Sequence, residues 1–162
     1  NDFSCENHRG TDCVQWRFLG LNTTELGKLI NSCPQACNID CGSFTQFSIP
    51  VAFRLSSIPG LLDKGAKETL EDVAYQYVLT VVADKLSAAI FDLDKVVLSA
   101  QSPVEQAGRL RRLQSSGVVD VSVIFTGFAL YLEHSEVSDL LVSAIEDTAF
   151  TSALQGSTAF FF

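Results

Sequence analysis

The chain has 162 residues, a formal net charge of -8 and a sequence pI of about 4.6. An acidic protein repels phosphate backbones, so the composition argues against nucleic-acid binding. Its apolar runs are shorter than the roughly 18 residues that a membrane-spanning helix needs, so we expect no membrane span. The length suits one domain with a small appendage. The chain begins at Asn1 and contains no methionine, so we expect a processed mature form.

All five cysteines lie near the start of the chain, at Cys5, Cys13, Cys33, Cys37 and Cys41. Cysteines confined to a short polar segment are typical of a disulfide module in an oxidising compartment, so the sequence predicts a secreted, extracellular protein. The alternative is a metal site. The C-x3-C-x3-C spacing differs from iron–sulfur runs, and the paired C-x2-C of structural zinc is missing. The spacing favours disulfides, and we expect no metal and no cofactor.

A candidate glycosylation site lies between the second and third cysteines. Asn22 is followed by Thr23 and Thr24 and so forms an N-x-T triplet, which accepts N-glycans in secreted proteins. Because the cysteines predict secretion, we expect a glycan on Asn22. The alternative is an unmodified loop residue.

The cysteine pattern C-x7-C-x2-W, then CP-x2-C-x3-C, resembles the ShK-toxin-like module, a version of which recurs in extracellular proteins of diatoms and related algae. That family has six cysteines, paired first to sixth, second to fourth and third to fifth, and the third is missing here. The resemblance implies bonds Cys5–Cys41 and Cys13–Cys33, and it leaves Cys37 unpaired or linked to another chain. Toxin-type channel blocking is not implied, since the Lys–Tyr pair responsible for it has no counterpart.

The composition changes after Gly42, where cysteines end and regular periodicities begin. We therefore divide the chain into a disulfide-rich ShK-like module over residues 1–42 and an α+β domain over residues 43–162.

The first half of the predicted domain alternates strand and helix. Residues 44–55 alternate as a strand does, and Pro50 indicates an edge position or a bend. Apolar residues at three- and four-residue steps then predict a helix from about Asp63 to Leu86. Residues 95–100 are strand-like, and we expect a turn into them at residues 92–94.

The segment 102–116 is polar and predicts a loop or the arms of a hairpin. It carries Arg109, Arg111 and Arg112, which in an acidic chain suit docking to a carboxylate or to the acidic face of a partner. The alternative is a solvated hairpin.

A long strand is predicted over residues 118–132. It is apolar on both faces, which is typical of a central strand, and Gly127 indicates a bulge or a close backbone approach. A second helix is expected to follow, with Ser135 as its N-cap, in a region that ends at Gly156.

The tail, residues 158–162, contains the adjacent aromatics Phe160, Phe161 and Phe162. In a strand only alternate residues face one core, so either Phe161 or the pair Phe160 and Phe162 is left for another surface. We expect this tail and the three arginines to form an assembly interface. The alternative is that Phe161 packs under a loop of its own chain.

The predicted order of strand, helix, strand, strand, helix and strand indicates a ferredoxin-like βαββαβ sandwich. In element order it is similar to the SEA domain of secreted glycoproteins. That family cleaves itself at a G-S-V-V-V site. The corresponding Gly117 is followed by Val118 rather than Ser, so self-cleavage is not implied.

Catalytic patterns are missing from the sequence. His8 and His134 are the only histidines, and neither belongs to a recognised motif. Asp92 and Asp94 are too few carboxylates for calcium. We expect not an enzyme but a secreted, glycosylated structural protein, the protomer of an extracellular filament or matrix assembled by head-to-tail contacts. This expectation matches the algal fibrous proteins to which the resemblance points. The alternative is a monomeric extracellular module that binds a glycan or a protein.

Overall fold

The computed structural model describes residues 13, 20–21, 23–37, 44–86, 91–104, 117–157 and 161. The architecture is α+β, as predicted, with a three-stranded antiparallel sheet. The elements in chain order are α1 (Thr23–Ser32), α2 (Pro34–Cys37), β1 (Phe44–Ile58), α3 (Lys64–Lys85), β2 (Phe91–Pro103), β3 (Gly117–Leu130), α4 (His134–Ile145) and α5 (Thr148–Ser157).

The sheet has the order β1-β3-β2, so the long strand β3 is central, as its two apolar faces predict. It pairs with β1 from Phe44↔Leu130 onward and with β2 from Phe91↔Ala129 onward, antiparallel in both cases. Strands β1 and β2 therefore run parallel to each other, and α3 is the crossover between them.

The main core lies between one face of this sheet and the helices α3, α4 and α5. Alternate residues of β3 point into it, and helical residues three or four positions apart cover them, as the periodicity predicts. Burying each large apolar side chain contributes about 1.5–3 kcal/mol. The buried set includes Val119, Val121, Val123 and Phe125 from β3, Leu70, Ala74, Val78 and Val82 from α3, and Val137, Leu141, Ala144 and Ile145 from α4.

A second, smaller core explains why the end of β3 is apolar on its other face as well. Phe128 and Leu130 pack there against a cluster contributed by α1, α2 and the cysteines, and the ring of Phe44 stacks on Phe128 with centroids 5.4 Å apart. The cysteine-containing segment thus packs directly on the sheet. The boundary predicted at Gly42 lies outside the described residues and stays a prediction.

Gly127 allows the two strands β2 and β3 to approach closely, as the sequence predicts. A Cβ at this position would collide with the carbonyl oxygen of Asp92 and would lie 3.0 Å from the Cα of Leu93. The register of β2 shifts between Leu93 and Lys95, opposite this glycine. Residues 92–94, predicted to form a turn, therefore belong to β2, because pairing with β3 overrides their local preference.

Two further predictions of element ends are wrong. The N-cap of α4 is Glu133 rather than Ser135, and the backbone N–H of Glu133 donates to Oε2 of Glu136 at 2.7 Å. Strand β3 ends at Leu130, since Tyr131 has a φ of 63° and leaves the extended conformation.

Candidate functional site

The two outer strands of the described sheet differ in how their edges are protected. On β2 the backbone N–H of Leu98 donates to Oε1 of Glu71 at 2.7 Å, and the hydroxyl of Tyr75 donates to the carbonyl of Leu93 at 3.2 Å. The register of β2 also shifts next to each of these two residues. Side-chain bonds and bulges of this kind hinder pairing with another strand, so β2 has a protected edge.

Strand β1 has the opposite character. It is 15 residues long, and its register with β3 is unbroken from Phe44 to Ser56. Among the described residues it pairs with β3 alone, so the backbone groups on its other side have no described strand partner. Pro50 removes one donor near the middle of the strand. The edge position that Pro50 predicts is therefore observed within the described sheet.

A groove lies beside residues 52–58 of β1, between this strand and the helix α5, with a volume of about 390 Å³. Its apolar wall consists of Phe53, Leu55, Ile58, Ile145, Phe150, Leu154 and Phe161, and its polar residues include Arg54, Ser56, Glu146, Thr151 and Gln155. An apolar wall next to an available strand edge suits an extended peptide, whose backbone pairs with the edge while alternate side chains enter the groove.

The start of α5 fixes one wall of the groove. The backbone N–H of Ala149 donates to the Asp147 carboxylate at 2.9 Å and so begins the helix. The ring of Phe150 then meets Phe53 edge-on at 5.7 Å and Tyr77 at 5.5 Å. Burial raises the pKa of the Tyr77 phenol, and the neighbouring Asp147 carboxylate raises it further. Strand β1, helix α3 and helix α5 are thereby joined through one aromatic cluster.

An exposed ion pair lies where β1 lines the groove. Arg54 and Asp120 are direct partners across β1 and β3, with Nε–Oδ1 at 2.7 Å and Nη2–Oδ2 at 3.3 Å. The hydrogen bond from Arg54 lowers the pKa of Asp120. Because the carboxylate engages two guanidinium nitrogens, the positive charge at this end of the groove is largely compensated.

The disulfide pairing differs from the one implied by the ShK resemblance. Cys13 is bonded to Cys37, with an S–S distance of 2.04 Å, and not to Cys33. Cys37 is therefore not unpaired. Cys33 is also disulfide-bonded, and its partner lies outside the described residues. Helix α2 follows Cys33, and the backbone N–H of Cys37 donates to the Cys33 carbonyl, so the two cysteines lie one turn apart.

Phe161 is the member of the predicted assembly interface that the structure describes. It lies in a 3-10 turn, is 4 % exposed and belongs to the main core. Its side chain packs against its own chain, as in the alternative stated for this residue, and the assembly interface stays a prediction. The other predicted site residues lie outside the described residues: Cys5, Asn22, Cys41, Arg109, Arg111, Arg112, Phe160 and Phe162.

The groove was not predicted from the sequence because α5 was not separated from α4. The signal was present at its start, where the polar run of Glu146, Asp147 and Thr148 precedes Phe150 and Leu154 at helical spacing. No such local pattern reveals that α5 then packs beside β1.

Comparison with known proteins gives no function for the chain, so a functional conclusion rests on the geometry of the groove and of the β1 edge. No protein-family model matches the chain, and no curated protein or solved structure is similar to it at a significant level. None of the helices in the described part of the chain is long and apolar enough to span a bilayer. The same residues contain no cluster of three or more His, Cys, Asp or Glu side chains arranged to hold a metal.

Proposed function

We propose that the chain is a secreted, glycosylated structural protein whose copies self-associate into an extracellular filament or matrix through head-to-tail contacts. The observation that carries the proposal is the difference between the two sheet edges. The β2 edge is protected by Glu71, Tyr75 and two bulges. Strand β1 pairs with β3 without interruption from Phe44 to Ser56, has one irregularity at Ser57, and adjoins an apolar groove. An edge with no described strand partner is open to pairing with another chain, so its position beside a groove supports a role as a contact surface.

Secretion is supported by the cysteines. The Cys13–Cys37 bridge and the bonded state of Cys33 suit an oxidising compartment. With five cysteines, at least one remains outside intrachain bridges, and in a secreted protein such a residue is available to link chains. A glycan on Asn22 belongs to the same proposal, and Asn22→Gln should lower the apparent mass by one glycan.

The proposal includes a ferredoxin-like, SEA-like fold for residues 43–162. The order β1-β3-β2 and the crossover through α3 correspond to three of the four strands of that fold. The fourth strand of that fold pairs with the free edge of the first. Residues 158–162 are its candidates by their position in the chain, and Phe161, which lies beside β1, is in a 3-10 turn rather than a strand.

Charge supports directional contacts between copies. The whole chain has a net charge of -8, and Asp139, Glu146 and Asp147 are exposed together along one side of α4 and the turn after it. We propose that Arg109, Arg111 and Arg112 of one copy contact such an acidic surface on the next. Contacts between exposed charges weaken as salt screens them, so this part of the assembly should be sensitive to salt.

Electron microscopy of the secreted protein, combined with sedimentation over a range of concentrations, tests the proposal. Ordered filaments and sedimentation that increases with protein concentration are expected. Discrete particles of one chain at every concentration would contradict it. A triple Arg109→Ala, Arg111→Ala and Arg112→Ala variant should assemble less readily, and a matched triple Lys64→Ala, Lys67→Ala and Lys95→Ala variant controls for the change in net charge.

The groove also favours a second candidate, a monomeric module that binds a glycan or a protein segment. Its volume of about 390 Å³ and its mixture of aromatic and polar walls suit a small ligand. A chain that stays monomeric and binds a glycan or peptide saturably would favour this candidate.

A further inference from the structure

The C-terminal segment contacts the body of the chain through a side chain in the groove. Phe161 lies beside Ile58, Phe150 and Leu154 there and is almost fully buried. Its backbone is in a 3-10 turn, so at this residue the segment does not adopt a strand conformation. Phe161 completes part of the apolar wall of the groove, so the body of the chain accepts an aromatic side chain from this segment there.

The end of α5, from which the chain continues to Phe161, is exposed. Helix α5 ends at Ser157, and Gln155, Gly156 and Ser157 are all exposed. A Cβ added at Gly156 would meet no described atom within 4 Å, so that position of α5 is open. Among the described residues that follow α5, the contact with the body is made by Phe161.

We infer that residues 158–162 exchange between copies, so that Phe161 of one copy occupies the groove beside β1 of the next. This inference rests on the proposed self-association and names the segment responsible for it. The exchanged Phe161 packs against the groove residues that it packs against within a single chain. Residues 52–58 of β1 have no described strand partner on their outer side, so their backbone groups are available to the segment of the neighbour.

The geometry makes this contact directional. Each copy donates at its C-terminus and accepts at the β1 edge. Reciprocal exchange between two copies closes a dimer, whereas one-way exchange is heterologous and adds copies without closing. The protected β2 edge hinders pairing of that edge with a strand of another copy. Three residues separate Ser157 from Phe161, and the four Cα–Cα steps span at most about 14 Å, so neighbouring bodies must lie in contact.

Complementation between two variants tests the inference. A chain ending at Ser157 has an open groove but no segment to donate. Thr151→Trp places a large ring in the groove from an exposed position on α5, so this variant keeps its segment but cannot accept one. Each variant alone should be monomeric by light scattering, and an equimolar mixture should form 1:1 heterodimers. Ser152→Trp, exposed on the same helix but outside the groove, should assemble as the unmodified chain does.

A second measurement uses the unmodified chain, so it does not depend on the folding of a truncated one. An excess of a synthetic peptide of residues 157–162 should compete for the groove and reduce assembly, and the same peptide with Phe161→Ser should do so at least about tenfold less well. Assembly of the unmodified chain, together with equal assembly of the truncated chain or no effect of the peptide, overturns the exchange but leaves the proposed function standing. A chain that never assembles overturns both.

Discussion

The carboxylate of Glu71 on α3 accepts a hydrogen bond from the backbone N–H of Leu98 on β2, with Oε1 and N 2.7 Å apart. This bond lies beside the register shift between Leu98 and Ala100, where the ladder with β3 is irregular. The side chain thus satisfies a backbone donor that the sheet does not, and it helps to protect that edge.

Replacing Glu71 with leucine should therefore destabilise the chain and expose the β2 edge. Loss of the acceptor leaves a part-buried N–H unsatisfied, at a cost of about 1–3 kcal/mol in the free energy of unfolding. Chemical denaturation measures that change, and light scattering measures the expected increase in irregular aggregation. Glu68→Leu, on the exposed side of the same helix, is the control and should change the stability by less than about 0.5 kcal/mol. Equal effects of the two substitutions would show that the Glu71 bond has no special role.

Gly127→Ala should be among the most damaging single substitutions in the chain. The added Cβ would collide with the Asp92 backbone and lie 3.0 Å from the ring of Phe47, so the two strands would have to separate. We expect a loss of about 3 kcal/mol or more. Gly156→Ala is the matched control, because that position in α5 is open and alanine favours the helix by up to about 1 kcal/mol. Thermal denaturation of both variants measures the two changes in stability. A Gly127→Ala protein as stable as the unmodified chain would argue against the close approach of β2 and β3.

The Cys13–Cys37 bridge can be tested against the pairing that the ShK resemblance implies. Cys13 lies in the tryptic peptide 10–17, and Cys33 and Cys37 share the peptide 29–54. In Cys33→Ser the two peptides should stay linked without reductant, and in Cys37→Ser they should separate. The reverse result would support the Cys13–Cys33 bond that the ShK resemblance implies. Replacing both Cys13 and Cys37 with serine should cost roughly 2–5 kcal/mol of stability.

The ion pair between Arg54 and Asp120 gives the stability a pH dependence at acidic pH. The pKa of Asp120 is lowered in the folded chain, so the stabilisation is complete above the ordinary pKa of an aspartate. It is lost as the pH falls through the lowered value. Asp120→Asn should remove this component from a denaturation series recorded across acidic pH. Asp72→Asn, at an exposed position of α3, should leave the component unchanged. Because both partners are exposed, the effect should also shrink in high salt.

Much of the fold could be predicted from local patterns in the sequence. The helix expected from Asp63 to Leu86 is α3, with Asp63 as its N-cap accepting from the Ala66 N–H at 2.8 Å. The apolar faces of β3 likewise predict its central place. Capping and periodicity are properties of neighbouring residues, so they can be recognised without the tertiary structure.

The sequence by itself determined the α+β class, the central strand and the use of cysteines in disulfides, because composition and periodicity are local. Only the tertiary structure decided that Cys13 bonds Cys37, that residues 92–94 join β2, and that Phe161 enters a groove between β1 and α5. Each of these depends on residues distant in sequence meeting in space. Bringing such residues together costs loop-closure entropy, and tertiary packing offsets that cost. Both quantities depend on the whole fold rather than on the local sequence.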